Sequence, residues 1–216
     1  MIEIRDVDYR TAERTLVSDI DLVVRPGELT AISGTSGSGK TTLLSVVGGL
    51  VRPSTGSVLL DGEATWRGSG DPLPAMSFIL QVYGLVPILS ARENVSIALR
   101  ARGVAARTAD DDAEEMLDRL RIGDLSSRQV EELSGGQLQR VACARALAVK
   151  APVLLADEPT SELDHTSRDL VMGLLRERAE AGATVVVATH DDEVVDQCDV
   201  HHRMDEGRLV SVSTPG

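Results

Sequence analysis

The sequence has few lysines and cysteines and no long hydrophobic run, and each scarcity narrows the possible functions. The net charge of −12 argues against a nucleic-acid partner, because such binding depends on Lys and Arg neutralising phosphates. Cys143 and Cys198 lack metal-ligand spacing, so we expect both to be reduced and buried as small hydrophobic side chains. No stretch of ~18 apolar residues occurs, which predicts no direct insertion into a membrane.

The chain is long enough, at 216 residues, to form one domain with a sizeable core. Residues 1–10 alternate apolar and charged side chains and lack the basic-then-apolar pattern of an export signal, so we expect a cytoplasmic protein. No internal repeat is present. We therefore predict that residues 1–216 form a single domain.

Hydrophobic periodicity predicts an α/β protein. Alternating or continuous apolar runs predict strands, and apolar residues at helical spacing predict helices. The predicted strands cover residues 2–7, 18–24, 29–33, 57–60, 76–80, 152–156 and 184–188, and the predicted helices cover 41–50, 93–101 and 110–121.

An acidic run at residues 110–112 suggests a cation site or a helix beginning. We favour the helix, because Thr108 is a plausible cap and carboxylates stabilise a first helical turn by ~0.3–1 kcal/mol each. The adjacent His201 and His202 would point to opposite faces of a strand, so we assign neither of them a metal or a function.

Residues 34–41, GTSGSGKT, match the phosphate-binding loop GxxxxGK[ST] and lie between a predicted strand and helix. The glycines allow the backbone to wrap around phosphates, Lys40 would contact the β- and γ-phosphates, and the Thr41 hydroxyl would ligate Mg²⁺. The predicted cofactors are therefore ATP and Mg²⁺. The residues predicted to bind ATP in this segment are Gly34, Thr35, Ser36, Gly37, Ser38, Gly39, Lys40, Thr41 and Thr42.

Residues 153–158, VLLADE, describe a buried strand that ends in two carboxylates. Successive strand residues face opposite ways, so Asp157 can hold Mg²⁺ while Glu158 turns toward an attacking water. The alternative is that Asp157 and Glu158 are ordinary strand-end carboxylates without a catalytic role. The phosphate-binding loop elsewhere in the chain favours the catalytic interpretation.

The order of this loop, LSGGQ at residues 133–137, and LLADE resembles the ATP-binding-cassette (ABC) ATPases over nearly the whole chain. The resemblance implies a P-loop core with a mainly parallel sheet, an N-terminal antiparallel β-subdomain and an α-helical subdomain inserted at about residues 84–135. It also implies roles for four further residues. Gln81 would reach Mg²⁺ and the attacking water, His190 the γ-phosphate, Asp164 the second subunit, and Tyr9 would stack on adenine.

The LSGGQ segment begins a helix and therefore forms an anion site, although the chain already has one at Lys40. In the family this is explained by head-to-tail dimerisation, which brings LSGGQ onto the ATP of the partner subunit. We expect a homodimer with two equivalent sites. The residues implied to act in trans are Ser134, Gly135, Gly136, Gln137 and Asp164.

Two segments, residues 81–95 and residues 133–147 (LSGGQLQRVACARAL), resemble the lipoprotein-release, macrolide-export and cell-division branch of the ABC ATPases. That branch implies an ATPase subunit that docks on a separate membrane permease and so lies at the inner face of the membrane. The resemblance also favours export of the substrate, or its extraction from the membrane, as the direction of transport. A non-transporting ATP-gated scaffold on a membrane partner uses the same residues and stays open. A simple P-loop kinase is disfavoured by LSGGQ.

Overall fold

Two β-sheets organise the fold, which we describe from a computed structural model for residues 1–213. The strands are β1 (Ile2–Arg10), β2 (Thr15–Val24), β3 (Leu29–Ser33), β4 (Thr55–Leu60), β5 (Glu63–Ala64), β6 (Met76–Ile79), β7 (Val153–Asp157), β8 (Thr184–Thr189), β9 (Val200–Asp205) and β10 (Arg208–Ser213). The α-helices are α1 (Lys40–Val47), α2 (Ala91–Arg100), α3 (Ala106–Arg119), α4 (Gly135–Ala148), α5 (His165–Glu180) and α6 (Asp192–Val195).

Within residues 1–213 the first sheet is antiparallel, in the order β2-β1-β4-β5. The second has the order β10-β9-β3-β8-β7-β6, and all its pairs are parallel except β9 with β10. The predicted α/β class, with a mainly parallel sheet and an N-terminal antiparallel sheet, is confirmed.

The central strands β3, β7 and β8 are buried along their whole length, as their continuous apolar runs predict. Their side chains alternate between two cores. Ala31 and Leu154 belong to a core shared with α2 to α5, whereas Ile32 and Leu155 belong to one shared with α1 and the antiparallel sheet. The parallel sheet therefore lies between two apolar layers, and its carboxyl edge is fixed by packing on both sides.

The helices α2 and α3 lie between β6 and β7, in the region predicted as an inserted helical subdomain. α2 begins with a capping box, in which the Ser90 hydroxyl accepts from the Glu93 N–H and the Glu93 carboxylate accepts from the Ser90 N–H. α4 packs against both helices and then leads back to β7. The division at residues 84–135 stays a prediction, because α4 contacts the helical region and the sheet alike.

The predicted start of α3 is wrong. The helix begins at Ala106, so Thr108 lies inside it and does not cap it, and its first turn has no acidic residue. Asp110 instead accepts hydrogen bonds from Ser96 at 2.6 Å and Arg100 at 2.8 Å on α2. The bond from Ser96, followed by the Arg100 interaction, lowers the pKa of Asp110 below its usual value. The first residue of the acidic run, Asp110, therefore joins α3 to α2.

Candidate active site

The loop between β3 and α1 follows a path that only glycine permits at two positions. Gly34 has φ 154°, and a Cβ there would lie 2.3 Å from the Met204 carbonyl oxygen. Gly39, the N-cap of α1, has φ 106°, and a Cβ there would lie 2.5 Å from the Leu16 carbonyl oxygen. Any larger residue at either position would displace neighbouring backbone, so the loop geometry depends on glycine.

Lys40 is the first residue of α1 and is 7% exposed. Its Nζ donates hydrogen bonds to the carbonyl oxygens of Gly34 at 2.7 Å and Thr35 at 3.1 Å. The ammonium group is thus held inside the loop, next to the N–H groups that begin α1. A positive charge combined with a helix N-terminus favours a bound phosphate.

Thr41 and Asp157 meet across the start of α1 and the end of β7. The Thr41 hydroxyl donates to Oδ2 of Asp157 at 2.7 Å, while Oδ1 of Asp157 is buried and has no hydrogen-bond partner among residues 1–213. Burial raises the pKa of Asp157 above its usual value, and the nearby Glu158 carboxylate raises it further. A hydroxyl beside a carboxylate with an unsatisfied oxygen is a donor set that suits Mg²⁺.

Glu158 follows β7 directly and has an unusual backbone, with φ 49°. Its Oε1 lies 2.7 Å from Nδ1 of His190, and its Oε2 accepts from the Thr189 hydroxyl at 3.2 Å. The residue is 8% exposed. The end of β8 therefore fixes the direction of the Glu158 carboxylate.

A cavity of about 850 Å³ lies at the carboxyl edge of the parallel sheet. Further residues of its wall that the sequence did not indicate are Arg14, Leu16, Ser33, Ser161, Asp192, His201 and Arg203. The predicted nucleotide and metal residues that line it are Gly34, Thr35, Ser36, Gly37, Gly39, Lys40, Thr41, Thr42, Gln81, Asp157, Glu158 and His190. The structure thus brings most of the predicted site together.

The LSGGQ segment lies outside this cavity. Ser134 is exposed and is the N-cap of α4, and its N–H donates to Oε1 of Gln137 at 2.9 Å. Gly136 packs closely on Glu162, whose carbonyl oxygen would lie 2.8 Å from a Cβ at that position. Asp164 is the N-cap of α5, where it accepts from the Ser167 N–H at 2.7 Å. These predicted residues therefore form a separate surface group, whose members are Ser134, Gly135, Gly136, Gln137 and Asp164.

A model of the ABC transporter family matches residues 17–161. The chain belongs to the ABC transporter family. This cassette is 42% identical over 199 residues to the lipoprotein-releasing system ATP-binding protein LolD of Anaeromyxobacter dehalogenans, which covers 89% of this chain and 83% of LolD. It is 44% identical over 194 residues to the macrolide export ATP-binding/permease protein MacB of Rhodopseudomonas palustris. That match covers 87% of the cassette and 30% of MacB, so the chain spans about a third of the length of this relative.

Solved structures give the same result. The cassette matches the dimeric structure of MJ0796, a bacterial ABC transporter cassette, with a TM-score of 0.92 and 32% identity over 99% of this chain and 98% of that one. A second dimeric structure of MJ0796 is a post-hydrolysis state bound to ADP and Pi, with a TM-score of 0.91. The chain has the fold of an ABC ATPase cassette, and its predicted resemblance to the lipoprotein-release and macrolide-export relatives is confirmed.

Two predicted ATP contacts are not part of the cavity wall. Ser38 is buried within the phosphate-binding loop. Tyr9 pairs with Val17 in the antiparallel sheet and packs partly against the core below it. Arg14, in the turn that follows β1, lines the cavity instead. The adenine contact of Tyr9 therefore stays a prediction.

His201 and Arg203 are cavity residues of the cassette that the sequence did not indicate. β9 pairs with β3, and Nε2 of His201 lies 2.6 Å from the Ser33 hydroxyl, while His202 points into the core and is 5% exposed. The predicted opposite orientation of the two histidines is confirmed. Strand parity beside the phosphate-binding loop was the signal that could have found His201.

Proposed function

We propose that this cassette hydrolyses ATP as half of a dimer and that the dimer drives an associated membrane permease. The observation that carries the proposal is the separation of the site into two groups. One group lines the cavity around the phosphate-binding loop, and the other, around Ser134, is exposed elsewhere on the surface. A second copy that places its Ser134 group over this cavity would complete the site.

In this proposal the phosphate-binding loop holds ATP through backbone N–H groups and Lys40. Thr41 and Asp157 would hold Mg²⁺, and Gln81, which lines the same cavity, would be a further ligand. When bound, Mg²⁺ neutralises negative charge on the β- and γ-phosphates. The unsatisfied, buried oxygen of Asp157 supports this assignment, since buried polar atoms are normally paired.

Glu158 is the proposed general base. Its carboxylate accepts a proton from water while the water oxygen attacks the γ-phosphorus, and the bond from that phosphorus to the bridging oxygen breaks to give ADP and phosphate. His190 holds Oε1 of Glu158 through Nδ1, and its side chain is 65% exposed on the cavity side. The remaining ring edge can therefore contact the γ-phosphate.

The proposed partner of the dimer is an integral membrane permease. Four apolar side chains of the segment 80–88 are exposed, among them Val82 at 84% and Ile88 at 74%. Arg145 of α4 donates to the carbonyl oxygens of Tyr83 at 2.6 Å and of Gly84, which holds this segment against the cassette. An exposed apolar patch of this kind is typical of a docking surface. Through this segment we propose attachment to the inner face of the membrane by way of the permease. Among the described residues no helix has the length and apolar character needed to span a bilayer.

Export or extraction is the proposed direction, by analogy with the relatives named for macrolide export and lipoprotein release. An ATP-gated scaffold that signals through a membrane partner would use the same cavity. ATPase activity that rises with a transported substrate in proteoliposomes supports transport, whereas activity that never responds to any substrate supports the scaffold.

The first prediction tests the general base. Glu158→Gln removes the carboxylate and keeps its size, so ATP binding should persist while turnover falls by about 10²–10⁴-fold, the usual contribution of a general base. The ATP-bound dimer should accumulate and be visible by size-exclusion chromatography. Glu177→Gln, which removes a carboxylate from an exposed ion pair with Arg119, is the control and should hydrolyse ATP normally. Normal hydrolysis by Glu158→Gln would disprove the assignment.

A further inference from the structure

Gln139 is a buried amide on α4 that contacts the backbone of the proposed base. Its side chain is 1% exposed, and its Nε2 donates to the carbonyl oxygen of Glu158 at 2.9 Å. Its Oε1 accepts from the hydroxyl of Ser161 at 3.3 Å. Both ends of the amide are therefore paired, in a place where an unpaired polar group would be costly.

The residue that Gln139 contacts has a backbone conformation in need of support. Glu158 has φ 49°, a left-handed value that is unfavourable for residues other than glycine, and such conformations persist only when surrounding contacts fix them. The Glu158 N–H donates to the Ala188 carbonyl at 2.9 Å, and its carbonyl accepts from Gln139. The Ser161 hydroxyl, at 3.3 Å, is a further donor to the same carbonyl. Together these bonds hold the peptide groups on both sides of the Glu158 α-carbon, and so fix the position from which its carboxylate reaches Thr189 and His190.

Gln139 also shares a helix with the exposed Ser134 group. It lies five residues after Ser134, which corresponds to about 7.5 Å along a helix with a rise of 1.5 Å per residue. Within α4 the backbone hydrogen bonds make this distance stiff. A partner subunit that contacts Ser134 would therefore push on the N-terminal end of α4. Because the helix is stiff, the displacement would reach Gln139, which is hydrogen-bonded to Glu158.

We propose that Gln139 is a positioning residue that holds the Glu158 carboxylate in its working direction and links it to the Ser134 end of α4. The inference rests on the proposed role of Glu158 as the base. Gln139 does not line the cavity, so it acts through Glu158 and makes no contact with ATP in this arrangement.

The test compares Gln139→Met with a matched structural variant. Gln139→Met keeps the side-chain length and removes both hydrogen-bonding atoms, so kcat should fall by about 10²-fold, as expected for a displaced catalytic group, while KM for ATP stays unchanged. Ser77→Ala removes another buried hydrogen bond to α4, from the Ser77 hydroxyl to the Ala146 carbonyl at 2.8 Å. Ser77→Ala should lower Tm by about as much as Gln139→Met does, since each removes buried hydrogen bonding to α4, but it should leave kcat as in the wild type.

A double-mutant cycle with Glu158→Gln then separates this inference from the proposed base. If Gln139 acts through the Glu158 carboxylate, Gln139→Met should barely change the residual single-turnover rate of Glu158→Gln. Equal fold losses in both backgrounds would overturn the inference, and so would a wild-type kcat for Gln139→Met. Normal hydrolysis by Glu158→Gln alone would instead overturn the assignment of the base.

Discussion

Asp157 and Glu158 are neighbouring acidic residues with different surroundings. The Asp157 carboxylate has one bonded oxygen and one buried oxygen without a partner, and burial raises its pKa. Glu158 has contacts to both carboxylate oxygens and to its backbone on each side. At the residue scale, the proposed metal ligand keeps an unsatisfied atom, whereas the proposed base is held from several directions.

The unsatisfied charge leads to a prediction about stability. Because the folded-state pKa of Asp157 is raised, its ionised form opposes folding at pH values above that pKa. Asp157→Asn should therefore raise the free energy of unfolding of the nucleotide-free protein at neutral pH, on the order of 1 kcal/mol, while abolishing Mg²⁺-dependent ATP affinity. Thermal unfolding and calorimetry measure the two effects.

Asp199 is the control for this prediction. Burial raises the pKa of Asp199, but hydrogen bonds from Arg176 and the Leu29 N–H lower it by more, so its net pKa lies below the usual value. Asp199→Asn should therefore destabilise the protein at neutral pH. A lower Tm for Asp157→Asn would contradict the explanation based on burial.

Sequence patterns located the residues whose partners are close in the chain, such as those of the phosphate-binding loop, and the carboxylates that end a buried strand. Gln139 lies two residues after the LSGGQ motif, but the sequence did not indicate a role for it, because its partner is the backbone carbonyl of Glu158 on another element. A hydrogen bond to backbone leaves no mark on the sequence of the partner residue. The proposed role of Gln139 therefore depends on a contact that only the tertiary structure shows.

At the scale of elements, strand irregularities limit what side-chain alternation can predict. β9 pairs regularly with β3, so the alternation of His201 and His202 was predictable. β1 has register shifts on both sides of Tyr9 in its pairing with β2. Each shift breaks the two-residue alternation, so the direction of Tyr9 and the cavity position of Arg14 could not be derived from parity.

The inward direction of His202 on β9 predicts sensitivity to acid. Burial, and secondly His201, lower the pKa of His202 in the folded state below its usual value of about 6.5. The unfolded chain therefore takes up the proton first, and stability present above about pH 6.5 is lost as the pH falls toward the folded-state pKa. His202→Leu should reduce the fall in unfolding free energy between pH 7 and pH 5, by at most about 1.4 kcal/mol per pH unit.

Denaturant unfolding at several pH values measures this slope directly. Equal slopes for the wild type and His202→Leu would show that other groups cause the loss of stability in acid. Leucine suits the site because the register neighbour Ile32 is also buried there.

At the scale of the whole molecule, the chain presents two incomplete halves of a site. The cavity holds the proposed phosphate, metal and base groups, and the Ser134 group is exposed away from it. In a symmetric dimer each surface meets the other, so two equivalent sites form at once. The catalytic unit would then be the pair of chains.

Mixed dimers test that unit. Lys40→Ala should lose nucleotide affinity, and Ser134→Arg should bind ATP but block closure, so each variant alone should be inactive. In a mixed dimer, Lys40 of the Ser134→Arg chain faces Ser134 of the Lys40→Ala chain and forms one intact site. Random mixing in equal amounts should restore about a quarter of the wild-type sites, because half of the dimers are mixed and each has one intact site of two.

ATPase assays over a series of mixing ratios would follow this recovery. A peak at equal amounts supports sites shared between chains. No recovery at any ratio would contradict two sites that work independently, and full activity of Ser134→Arg alone would contradict the shared site itself.

The two buried cysteines have a practical consequence. Burial raises the pKa of both Cys143 and Cys198 to about 12, so their thiols stay protonated and covered at neutral pH. A single cysteine introduced at the exposed Val82 would then be the one thiol that an alkylating fluorophore labels. The two native cysteines should therefore not react with the fluorophore. Slower labelling of the added thiol in the presence of a permease would show that the permease covers the segment 80–88.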